Sequence, residues 1–173
     1  MIPALLSLAL TAAASSGHAP TACDATCENI RRILVDRTNG FENLKGPQVD
    51  GDAGNAWTTK HRLLDLECRI SNNKPPFPNS FSCFGGFAKG DAFQRRDALL
   101  RAFRAAAPDW IWLHFTGSEG TRLRGGPTAD TLIAWIDIEH FPYEAGGPVT
   151  SIGVGIDIAT TAKPPHPVEP YSF

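Results

Sequence analysis

The sequence predicts an α+β fold: an antiparallel sheet of about four to six strands with two helices, the main one (about 91–107) packed on one face. Three observations carry this expectation. Residues 131–140 and 149–160 alternate apolar and polar side chains, the period of a half-buried strand. Residues 91–107 repeat apolar side chains at helical spacing. Cys68 and Cys83 lie symmetrically about the proline-rich stretch "NNKPPFPN", as opposed positions of a hairpin do.

The first 22 residues have the pattern of a secretory signal peptide: an apolar run from Ile2 to Ala14, followed by small residues. The cleavage position is open between Ala14 and Ala22, and the segment before the run lacks the usual Lys or Arg. The run is shorter than the roughly 20 apolar residues needed to span a bilayer. The expected organisation is therefore a leader (1–22), a disulfide-stabilised α+β domain (23–162) and a proline-rich extended tail (163–173).

The domain opens with a helix at about 24–38, where Ile30, Ile33 and Leu34 follow helical spacing. Thr21 or Asp24 suits its start, and Asn39-Gly40 is a natural stop. "FENLKG" reads as a short strand or turn, and "GPQVDGDAGNAW" as a loop. Residues 61–71 and 80–88 read as the two strands of a hairpin, with Leu64, Leu66, Cys68 and Ile70 on one face of the first. In the second, Gly85-Gly86 suggests a bulge or a close backbone approach.

In the main helix Asp91 is placed as N-cap, with Gln94 completing a capping box. Phe93, Leu99, Leu100, Phe103 and Ala107 form its apolar stripe, and Asp91–Arg95 and Asp97–Arg101 are acid-before-base pairs one turn apart. Pro108 ends it. Strands follow at 110–117, 131–140 and 149–160, the last two paired antiparallel.

Four cysteines in an exported chain favour disulfides. Cys68 and Cys83 close a hairpin, which leaves Cys23 with Cys27. The competing arrangement is one zinc site made by all four thiolates. "CDATC" is Cys-x-x-x-Cys, and the Cys-x-x-Cys spacing of a redox dithiol is absent.

The net charge is -2, and residues 89–124 carry 7 basic and 4 acidic side chains (net +3), whereas 125–173 carry 1 basic and 6 acidic (net -5). The basic footprint of a nucleic-acid binder is lacking. Asp137 and Glu139 share one strand face with Trp135, and Asp157 on the next strand is a further carboxylate for a hard cation such as calcium; the alternative is a solvated sheet face. His114 lies near Ser118 and Glu119, but "GSEG" lacks the nucleophile-elbow pattern. Tryptophan is enriched at binding hot spots, which singles out Trp110, Trp112 and Trp135.

The expectation is thus a small exported domain, in a bacterial periplasm or outside the cell. Its role is non-enzymatic binding or accessory, with no catalytic, cofactor or metal motif. Its binding residues are Trp110, Trp112, Trp135, Asp137 and Glu139, for a protein or small-molecule ligand and not for nucleic acid. One alternative is a small secreted hydrolase with His114 or His140 as base. Another is an inhibitor or immunity-type protein that presents "KPPHPVEPY" as a polyproline ligand.

Overall fold

The computed structural model describes residues 23–51, 55–72, 79–117, 120–141, 149–157 and 168–170. Helix α1 spans Ala25–Asp36. Its start is set by Asp24, whose carboxylate accepts the Cys27 N–H at 2.8 Å and so satisfies one of the helix's orphan donors. A 3-10 turn, Arg37–Asn39, leads to Gly40 in the left-handed region (φ 69°), the stop expected from Asn39-Gly40. "FENLKG" forms a second 3-10 turn, Glu42–Leu44.

Strands β1 (Ala56–Thr58), β2 (Glu67–Ser71) and β3 (Ser80–Phe87) precede helix α2 (Lys89–Ala106). After it come β4 (Ile111–Gly117), β5 (Gly120–Gly126), β6 (Ala134–Phe141), β7 (Val149–Asp157) and the three-residue β8 (Val168–Pro170). All pairings are antiparallel, in the order β1-β2-β3-β7-β6-β5-β4-β8. Helix α2 carries the chain from β3 across the sheet to β4. The meander β4–β5–β6–β7 then returns until β7 pairs with β3.

The register sorts the side chains by face. Two rows, Ile70–Phe81–Ile156–Ala134 and Cys68–Cys83–Val154–Ile136–Leu123, run across the strands on the helix side. All of these residues are buried. Leu99, Leu100 and Phe103 of α2 are buried with them, and the Phe103 ring meets Trp112 edge-on at 5.3 Å. Each such buried side chain contributes about 1.5–3 kcal/mol relative to exposure. Phe93, expected on the same stripe, sits at the rim, where the Arg96 guanidinium lies 4.9 Å from its ring.

Cys68 and Cys83 are paired residues of β2 and β3 and form a disulfide, and Cys23 forms a second with Cys27. All four thiols are therefore committed, and the zinc alternative falls. The intervening prolines, Pro75, Pro76 and Pro78, lie outside the described residues.

Several boundaries differ from expectation. The first hairpin strand begins at Glu67 rather than 61, because Leu64 has φ 56° and the Leu66 N–H bonds back to the Leu63 carbonyl. That turn buries Leu63 and Leu66 together, three residues apart, which an alternating strand does not do. Helix α2 starts at Lys89 with Ala88 at its N-cap, so Asp91 sits in the first turn instead. Arg95 reaches Asp65 and covers the Phe87 ring at 4.0 Å instead of pairing along the helix with Asp91. Arg96, rather than Arg101, contacts Asp97, at 2.7 Å.

Gly85 and Gly86 stay in continuous register with β7, so they form no bulge; a side chain at Gly85 would sit 2.6 Å from the Phe87 ring. Two strands, β1 and β5, and the edge pairing of β8 raise the sheet above the expected strand count. β8 lies at an edge, where a proline's missing N–H leaves no gap in the ladder.

The Cys68–Cys83 bridge closes a short loop, so its replacement by Ala at both positions is expected to lower the unfolding free energy by about 2–4 kcal/mol. Urea denaturation of oxidised wild type and the double variant measures this. Phe103→Ala is expected to cost about 3–5 kcal/mol in the same assay, through the cavity left above Trp112.

Candidate functional site on the open face of the sheet

The other face carries two rows of different character. One runs Arg69–Ser82–Gly155–Trp135–Arg124–Leu113, and the other Glu67–Phe84–Gly153–Asp137–Arg122–Phe115. Trp135, Asp137 and Glu139 share this face, as strand alternation predicts. It is not the acidic surface anticipated from those three residues.

The unanticipated strand β5 places Arg124 beside Trp135 and Arg122 beside Asp137. Arg124 grips Asp137 with both ends of its guanidinium, the Nη2–Oδ2 distance being 3.1 Å. Arg122 lies 3.9 Å from Asp137 and 3.4 Å from Glu139. The sequence signal for β5 is confined to the three residues Arg122-Leu123-Arg124, too short an alternation to mark a strand.

The register also separates the carboxylates proposed for calcium. Gly153, not Asp157, lies opposite Asp137. Among the described residues no group of three His, Cys, Asp or Glu is arranged to hold a metal ion.

Trp135 is laid against the sheet by two glycines of β7. A β-carbon on Gly155 would stand 2.5 Å from its ring, and one on Gly153 3.0 Å from Trp135 and 3.1 Å from Phe84. The rings of Phe84 and Trp135 therefore share the space above Gly153, with centroids 6.0 Å apart and planes inclined at 45°. The Trp135 indole N–H donates to the Asp157 carboxylate, which anchors the far end of the ring. Phe84 is 45% exposed, and Arg69 stands 5.7 Å from its centroid.

Two hollows flank Phe84. One, of about 210 Å³, is lined by Phe84, Trp135, Asp137, Glu139, Ser151 and Gly153. The other, of about 370 Å³, is bounded by Val49, Thr58, Glu67, Arg69 and Phe84.

The remaining candidates go elsewhere. Trp112 is only 4% exposed, packed on the helix side between Phe103 and Gly125, and Trp110 is partly buried against the same core. Trp112 thus belongs to the core, and Trp110 packs against it. The reason is local: the strand that seemed bulky on both faces turns its Trp112 face under α2.

His114 belongs to that covered face, in the row of Leu123. Burial, and then the nearby Arg96, lower its pKa, so it is neutral at neutral pH. Neither hollow contains a histidine. Ser118, Glu119 and the His140 side chain lie outside the described residues. Comparison with protein-family models, with curated protein sequences and with solved structures gives no match.

Two variants test this architecture. Gly155→Ala must displace the indole, and is expected to cost about 1–3 kcal/mol and to alter tryptophan emission. Asp157 tests the anchor. Burial pushes its carboxyl up to about 6, against the opposing pull of the Trp135 N–H, Arg124 and Arg37.

A raised folded-state pKa means that the native chain binds the proton more tightly than the unfolded one. The stability so gained is full below about pH 4 and is lost as pH rises to about 6. Across that window wild type is expected to lose on the order of 2 kcal/mol relative to Asp157→Asn. Urea unfolding in steps from about pH 4 to 7 reads the difference.

Proposed function

We propose that the chain is an exported, non-enzymatic binding domain whose ligand meets the open face of the sheet. The observation that carries this is the pair Phe84 and Trp135, two large aromatic rings set side by side on a face that no described helix covers, next to a hollow lined by Asp137 and Glu139. Partly exposed rings packed against the sheet lose little conformational entropy on binding, which is why aromatic side chains dominate recognition surfaces.

Export is supported by the leader-like first 22 residues and by the two disulfides, which form and persist in oxidising compartments. No described helix is long and apolar enough to cross a membrane. Among the described residues the hollows are lined by carboxylates, arginine and aromatic rings, the side chains of a recognition surface.

The test compares wild type with Trp135→Ala and Phe84→Ala as baits in extracts of the native compartment. Ligands or partners enriched by wild type are expected to be lost from both variants while their circular dichroism is unchanged. An identical captured set from all three proteins would move the site off this face. Fractionation that leaves the chain uncleaved, with four free thiols in the cytosol, would remove the export half of the proposal.

A further inference from the structure

The smaller hollow has a more specific chemistry than the face around it. It lies beside the packed Phe84–Trp135 pair and is lined by those two rings, Gly153, Asp137, Glu139 and Ser151. Ring faces carry partial negative charge, and both ionisable side chains of the lining are carboxylates. Arg124 already pairs with Asp137, so the charge left for a ligand is chiefly that of Glu139, and a purely apolar group would strip water from that carboxylate.

The group that such a lining complements is a cation with a hydrocarbon shell. At about 210 Å³ the hollow lies below the usual range for drug-sized ligands, roughly 300–1,000 Å³, so it suits one side chain or small headgroup.

The two carboxylates are not equivalent. Asp137 is gripped by Arg124 and 16% exposed. Glu139 is 40% exposed and, among the described residues, pairs with Arg122 at 3.4 Å, longer than the roughly 2.7–2.9 Å of a well-formed charge-assisted bond. Arg122 is itself 54% exposed and is shared between Asp137 and Glu139. Glu139 therefore has room for a second donor, and Arg122 is that donor's competitor.

Building on the binding role proposed above, we propose that the hollow beside the Phe84–Trp135 pair binds an organic ammonium group, with Glu139 as its counter-ion. Lysine side chains and free alkylamines share this chemistry.

The experiment titrates the full ¹⁵N-labelled chain with n-butylammonium chloride at constant ionic strength and follows the indole N–H of Trp135. A saturating shift is expected, with no comparable response to n-butanol or sodium butyrate. Glu139→Gln is expected to weaken binding about two- to fivefold. Arg122→Gln is expected to tighten it, by removing the competitor. Opposite signs from neighbouring exposed residues are not a pattern that loss of structure produces.

Stronger binding of Nα-acetyl-lysine methylamide than of n-butylammonium would assign the amine to a protein's lysine, and the reverse order to a free amine; either supports the site. The proposal is overturned if no saturable shift occurs, if n-butanol gives the same one, or if Glu139→Gln leaves it unchanged. Should that happen while Phe84→Ala and Trp135→Ala still lose their captured partner, the open face remains the binding surface and only its preference for ammonium falls.

Discussion

The pairing of β3 with β7 is the interaction on which the rest of the molecule depends. Eight consecutive residue pairs, from Ser80↔Asp157 to Phe87↔Thr150, join the β2–β3 hairpin in the middle of the chain to β7, the last strand of the meander. Without them there are two narrow sheets, each with a half-formed apolar face. With them, Phe81, Cys83, Ile152, Val154 and Ile156 become one surface broad enough for α2 to cover. The loop-closure entropy of so distant a contact is offset because the same residues complete the core.

That seam also builds the open face. Strand alternation puts Ile152, Val154 and Ile156 towards the helices and leaves Gly153 and Gly155 on the other side, at the middle of the sheet. Missing side chains at the centre make a shallow trough. Trp135 from one neighbouring strand and Phe84 from the other fill its edges, and Asp157 holds the indole. The site is therefore a by-product of a strand that is bulky on one face and bare on the other.

Much of this was legible in the sequence where the signal is local. Symmetry about residue 75.5 gave the Cys68↔Cys83 register, and alternation gave the faces of β6 and β7. Helical spacing found both helices, with the start of α2 misplaced by two residues because Asp91 resembled a cap.

What escaped was set by partners elsewhere in the chain. β5 has one buried apolar side chain, Leu123, between two arginines and ends in glycines, so it reads as a turn until β4 and β6 flank it. Missing it hid the two arginines that neutralise Asp137 and Glu139. Phe84 was not singled out, although the alternation that turns Cys83 to the core turns its neighbour Phe84 to the other face.

The positions of the cysteines have a consequence for how the chain is held together. All four lie at or before residue 83, and each bridge joins partners close in sequence, 4 and 15 residues apart. No thiol lies downstream to compete for the wrong partner. The meander β4–β7 is left without covalent reinforcement, and the strand that β7 must match, β3, is held in register with β2 by a covalent bond.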